Sequence, residues 1–260
     1  MSVSERQKLK RLLDTVPAGT VSLSAWLGDN GISPQLQRRY RLSGWLKAIG
    51  TGAMVRSGDT VGWEGALYAL QNNAGLPVHP GGRTALSMHG KAHFLELSRA
   101  VISLFGPLEV RLPKWVVDGK WGVKIDYHRT SFLPSDLGMV DVENGAFSIR
   151  VSTPARALME CLHLSSSAEE LIEARELMDG LNSLRPKQVQ ALLETCRSVK
   201  VKRLFLYLAD LSGHDWLKHV DRSAIDLGSG TRSLVAEGIY VPQYDIMVPK
   251  EFASDAKAGL

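Results

Sequence analysis

Residues 31–56, GISPQLQRRYRLSGWLKAIGTGAMVR, constrain the fold more than any other stretch, because they read as a short basic helix running straight into a tight β-hairpin. Ser33 is a good N-cap, and Pro34 suits the first helical position, where an N–H has no partner anyway. Leu36 and Tyr40, four apart, form the inward stripe of a helix from Ser33 to Leu42. Gln35, Gln37, Arg38 and Arg41 fall on its other faces and make them polar and cationic. Gly44 suits the left-handed residue just past the helix. Trp45 to Ile49 and Ala53 to Arg56 then read as two short strands joined through Gly50-Thr51-Gly52, the form of a wing. Upstream, Leu9, Leu12, Leu13 and Val16 mark one face of a first helix, which Pro17-Ala18-Gly19 stops. Thr20-Val21 suit a short strand, and Ser22 or Ser24 caps a second helix that ends near Gly31. The order predicts a winged helix-turn-helix with Trp26 and Trp45 in its core.

Charge is distributed unevenly in the same sense. The chain carries a formal +4, yet residues 1–60 alone carry +5, and the remaining 200 residues sum to −1. Phosphate neutralisation supplies much of the affinity of nucleic-acid binding, so this asymmetry points to DNA as the partner of the N-terminal region. The candidate DNA contacts are Ser33, Gln35, Gln37, Arg38 and Arg41 on the reading helix, Lys47 and Thr51 in the wing, and Lys8 and Lys10 on the first helix.

The remainder changes texture twice. A helix over Glu64 to Ala74, with Leu67 and Leu70 inward, gives way to Pro77, Pro80, Gly81 and Gly82. Strand-like runs follow at 101–104, 109–112, 123–126, 138–142 and 147–150, the last two flanking the hairpin signal Asn144-Gly145. Helices then dominate: Thr153 caps and Pro154 opens one, Ser166-Ser167-Ala168-Glu169 offers a capping box for another, Pro186 opens a third, and Val201 to Leu211 is apolar enough to be central. Two strands are expected near 239–241 and 244–248. The predicted fold class is α+β: an N-terminal winged helix-turn-helix over residues 1–63, then a larger mixed domain over 64–260 with a mainly antiparallel sheet and a C-terminal helical bundle. The boundary between them falls at 63 or as late as 80–95. At 28.5 kDa such a chain buries roughly 70% of its unfolded surface without metal or disulfide.

Catalytic patterns are missing. His89 and His93 stand four apart, but the stretch His-Gly-Lys-Ala-His lacks the glutamate of a zinc-protease helix, so no metal site is expected. Gly228-Ser229-Gly230 reads as a turn, and no nucleophile elbow or phosphate loop appears. Cys161 and Cys196 read as buried reduced thiols of a cytoplasmic protein, with no leader and no membrane span. Neither catalysis nor a cofactor is expected. Trp115 and Trp121 sit in a segment resembling a connecting loop and are candidates for contact with a partner.

The chain resembles the AbiEi antitoxins of type IV toxin–antitoxin systems. The resemblance rests on the helix-turn-helix followed by Ser43 to Gly52, on Gly81-Gly82-Arg83-Thr84-Ala85-Leu86, and on Val151-Ser152-Thr153-Pro154-Ala155-Arg156-Ala157-Leu158. It implies a repressor that binds operator DNA in its own promoter and a second domain that counteracts a co-encoded nucleotidyltransferase toxin. The physical reading of the last two motifs is structural: a glycine bend before a helix, a cap with its proline, and an arginine for an internal carboxylate or carbonyl. The rival reading is a winged-helix transcription factor with a ligand-sensing or dimerisation domain and no toxin partner. An enzyme fused to a winged helix is a weaker rival, suggested only by the size of the second domain.

Overall fold

The structure, a computed structural model, describes residues 3–91, 101–233 and 238–252. The chain divides into two compact units that are discontinuous in sequence: residues 1–79, 97–129 and 141–151 form the first, and 80–96, 130–140 and 152–260 the second.

The first unit begins with helix α1 (Val3–Thr15), strand β1 (Ser22–Leu23), helices α2 (Ser24–Asp29) and α3 (Pro34–Leu42), and strands β2 (Leu46–Gly50) and β3 (Ala53–Arg56). The strands pair antiparallel in the order β1-β3-β2, which is the topology of a winged helix. Leu9, Leu12 and Val16 of the first helical face meet Leu27, Ile32, Leu36, Tyr40, Leu46 and Met54 in one buried cluster. Two local expectations shift. The first strand lies at Ser22–Leu23 instead of Thr20-Val21, and no side chain caps α2, because Ser24 is already its first residue and its hydroxyl is used elsewhere.

The expected helix after Trp63 is present as Trp63–Tyr68 continued by a π turn, Ala69–Asn73, with Leu67 and Leu70 buried. Gly65 packs so closely on the Gly19 carbonyl that a Cβ would stand 2.0 Å from its oxygen. Farther on, Val101–Gly106 and Lys124–Arg129 pair parallel, Val101 opposite Lys124 and Gly106 opposite Arg129. This departs from the antiparallel pairing expected of the sheet. The long crossover between them, with the short helix Lys114–Val117, is what a parallel connection needs. The run 109–112 is no strand. Pro107 and Pro113 bracket it, and side chains satisfy its neighbourhood instead, Tyr127 donating to the Val110 carbonyl at 3.2 Å and Arg129 to that of Leu108 at 3.1 Å. Met139–Asn144 and Phe147–Ser152 form the hairpin that Asn144-Gly145 signals, with Gly145 at φ +63°.

The second unit is mainly helical: Gly82–Met88, Pro154–Leu164, Ala168–Asp179, Pro186–Thr195 and the central Val199–Leu211, along which Val201, Leu204, Phe205 and Leu208 are fully buried. A small sheet closes it, Ile239–Val241 antiparallel to Ile246–Val248 and the latter parallel to Arg232–Ser233. Arg203, buried on the central helix, donates to the carbonyls of Leu227, Gly230 and Asp245 at 2.8–2.9 Å and to that of Gly228 at 3.2 Å, which orders the loop leading into that sheet. The capping box forms one residue later than the sequence pattern implied, between Ser167 and Glu170. Pro154 opens its helix as expected, but Thr153 does not cap it through its side chain. The Thr153 hydroxyl is buried without a hydrogen-bond partner among the described residues.

The two sequence motifs at Gly81 and Val151 meet in the second unit. Glu160, fully buried, accepts hydrogen bonds from the Gly82 backbone N–H (3.0 Å), the Ser152 hydroxyl (2.9 Å) and Arg156 Nε (2.8 Å). Arg156 also donates through Nη1 to the Pro134 and Leu137 carbonyls, so it holds a carboxylate and two carbonyls together. Removing one partner of such a pair strands the other charge in a low-dielectric interior. Arg156→Met is therefore expected to destabilise the protein by about 3–5 kcal/mol in urea unfolding, whereas a cost under ~1 kcal/mol, typical of an exposed ion pair, would show that the carboxylate is not confined.

Candidate nucleic-acid interface

Helix α3 is built as its sequence indicates. Ser33 accepts the Leu36 N–H at 3.4 Å, Pro34 occupies the first turn, and Gly44 at φ +75° takes the chain out of the helix. Leu36 and Tyr40 are buried in the core cluster. Gln35, Arg38 and Arg41 are exposed, as is Arg39, which belongs with them by position although the amphipathic pattern did not single it out.

Gln37 is a correction. It is only 3% exposed, and its amide is wholly engaged: Nε2 donates to the carbonyls of Ser24 (2.9 Å) and Ile32 (2.8 Å), and Oε1 accepts from the Ser24 hydroxyl at 2.6 Å. It sits one residue from Leu36 and three from Tyr40, within the arc that faces α2. A buried amide is tolerated there because backbone and hydroxyl partners satisfy it. Gln37 therefore braces the turn between α2 and α3 and does not face outward.

The two tryptophans of this region part company. Trp26 packs partly buried against the core cluster, but Trp45 is 44% exposed and Leu46 takes the core position instead. Strand alternation explains this, since neighbours in β2 point to opposite faces. Leu42, the last residue of α3, is exposed as well.

Thr51 is exposed in the hairpin turn, with Gly52 at φ +73° and a register shift between Ala48 and Gly50. Lys47 is exposed and pairs across the strands with Val55. Lys8 and Lys10 are exposed on α1, and Lys8 Nζ donates to the Gly31 carbonyl at 3.4 Å, beside the turn that leads into α3. Gly50 meets Trp115 so closely that an added Cβ would lie 2.5 Å from the Trp115 Cβ. Trp115 is thus a buried brace of the wing, only 7% exposed, and not the exposed anchor expected from its loop-like surroundings. Trp121 packs edge-on to it, ring centres 6.4 Å apart, and donates its indole N–H to the Val116 carbonyl at 2.8 Å.

Among the described residues no group of three His, Cys, Asp or Glu side chains is placed to hold a metal. His89 Nε2 lies 2.9 Å from the Ser152 carbonyl oxygen, and His93 falls outside the described residues. Cys161 and Cys196 are free thiols, and burial pushes the Cys161 thiol up to about 12, far from the range of a nucleophile. No described helix is long and apolar enough to cross a membrane.

Two substitutions test this construction. Gln37→Leu strands the Ser24 and Ile32 groups and is expected to cost about 1–3 kcal/mol, while Gln35→Ala on the exposed face stays within ~0.5 kcal/mol; equal effects in chemical unfolding would refute the bracing role. Gly50→Ala forces the wing off Trp115 and is expected to cost about 1–3 kcal/mol in the same measurement.

The profile of the transcriptional regulator AbiEi antitoxin N-terminal domain matches residues 5–97, and that of the transcriptional regulator AbiEi antitoxin of the type IV TA system matches residues 99–249. No curated protein matches the chain. Among solved structures, the crystal structure of the RV2827C protein from Mycobacterium tuberculosis is similar over 99% of this chain and 95% of that one, with a TM-score of 0.53 at 13% identity, a likeness of fold alone. The family profiles together run from residue 5 to residue 249, and the chain belongs to the AbiEi antitoxin family of transcriptional regulators of type IV toxin–antitoxin systems.

Proposed function

We propose that this antitoxin regulator represses its own operon by placing α3 in the major groove of operator DNA and counteracts a co-encoded nucleotidyltransferase toxin. The observation that carries the DNA reading is the exposed row of Gln35, Arg38 and Arg41 on a helix whose inward side is fixed by Leu36, Tyr40 and the Gln37 brace. Arginine donates in a fork that fits a guanine edge or a phosphate, and a glutamine amide fits an adenine edge. Ser33, whose hydroxyl caps the helix, stands at the end that enters the groove first in this docking mode, with its backbone near phosphate. Thr51 and Lys47 in the wing and Lys8 and Lys10 on α1 supply further phosphate contacts. The chain acts as a regulator and not as a catalyst, and it needs no cofactor. Its place of action is the cytoplasm, where operator and toxin are found.

The double variant Arg38→Ala/Arg41→Ala is expected to weaken binding to a promoter fragment by at least about tenfold and to lower the slope of log affinity against log salt by about two. An unchanged gel shift and salt slope would sink this use of α3. The same full-length double variant, expressed from a foreign promoter beside the adjacent toxin, is expected to protect cells as well as the parent chain does, because neutralisation is assigned to the larger domain. Loss of protection in a folded double variant would tie both activities to one surface.

A further inference from the structure

The wing sheet has a second face, and that face carries a groove. Strand alternation sends Leu46 and Met54 into the helix-turn-helix core and puts Lys47, with its cross-strand partner Val55, on the opposite side. Residues 113–121 come against that side, with Trp115 seated on Gly50. Between them lies a groove of about 520 Å³ whose walls include Lys47, Ile49, Val55, Trp115, Lys120 and Trp121. That size lies within the range of about 300–1,000 Å³ typical of small-molecule sites.

The chemistry of the lining selects a class of ligand. Trp121 and Ile49, both partly exposed, offer apolar surface for a flat ring system, and the buried Val55 and Trp115, the latter edge-on to Trp121, complete the wall. The charged groups around the groove are Lys47, Arg56 and Lys120 against Asp59 and Asp118. Arg56 donates to the Leu13 carbonyl and Asp59 accepts the Gly19 N–H at 2.9 Å, both neutral partners, so three cations stand against two carboxylates, with Lys47, Lys120 and Asp118 the exposed ones. The local excess is positive and sits beside aromatic walls.

We propose that this groove is a binding site for a small planar aromatic anion, and that its occupancy competes with DNA for Lys47. The second half of this statement rests on the use of the wing proposed above. An anion drawn to Lys47 and Lys120 neutralises a wing charge at the moment it fills the space behind the wing, so ligand and DNA oppose each other without any change of fold.

Calorimetric titration of the full chain with anilinonaphthalene sulfonate, beside its uncharged analogue N-phenylnaphthylamine, tests the site. One saturable site per chain is expected. Lys120→Glu, an exposed substitution outside the DNA-reading set, is expected to weaken the sulfonate about tenfold and to leave the neutral analogue unchanged. Trp121→Ala is expected to weaken both, in a variant whose melting curve verifies the fold. Non-saturable binding, or sulfonate binding indifferent to Lys120→Glu, overturns the site. In the second arm, sulfonate at a concentration that just saturates the parent chain is expected to lower its affinity for a promoter fragment, and to do so less in Lys120→Glu, whose site is then only partly filled. DNA binding unmoved by sulfonate overturns the competition, whereas a chain that binds no DNA at all defeats the wing reading while the calorimetric arm still decides the groove.

Discussion

The carboxylate of Glu160 is the point on which the second unit turns. It is fully buried and gathers a backbone N–H at the start of one helix, a hydroxyl at the end of a strand and a guanidinium one turn back along its own helix. Two stretches of chain far apart in sequence, at Gly82 and at Ser152 to Glu160, are thereby fixed to one pair of oxygens. Arg156 extends the joint to the Pro134 and Leu137 carbonyls, and Gly138, at φ +71°, brings the chain close enough for its own carbonyl to accept the Thr153 N–H at 2.8 Å. The two internal motifs by which the chain resembles its family are therefore halves of one structural joint.

The first unit is organised on the same principle with neutral groups. Gln37 ties α2 to α3 through two carbonyls and a hydroxyl, and Gly50 admits Trp115 against the wing. Each brace fixes an element that presents exposed residues on its other side, Arg38 and Arg41 on the helix and Thr51 in the turn. Rigid support from below holds such a polar face in a fixed orientation.

Much of this was legible in the residues because the signals are local. Ser33, Pro34 and Gly44 bound α3 within a residue, Asn144-Gly145 marks its hairpin, and Pro154 and Pro186 open their helices. What escaped the sequence depends on partners distant in the chain. Nothing in the spacing tells that the Gln37 amide finds Ser24 and Ile32, because a glutamine near an apolar stripe is equally suited to water. Trp45 and Leu46 compete for one core position, and only the start of β2 decides between them. The parallel pairing of Val101–Gly106 with Lys124–Arg129 follows from a crossover whose route the residues do not encode locally, and Glu109–Leu112 alternates like a strand yet lies between two prolines that deny it a ladder.

The seating of Trp115 on Gly50 also bears on how such regulators exchange parts. A wing backed by residues more than fifty positions downstream is not a self-sufficient cassette, even though its helices and strands are contiguous in the gene. A chimaera that joins the first 79 residues to a different second half would separate the hairpin from its tryptophan. A hairpin exchanged between relatives is then best moved together with the segment that backs it. Recombination within the gene is constrained by contact and not by chain order.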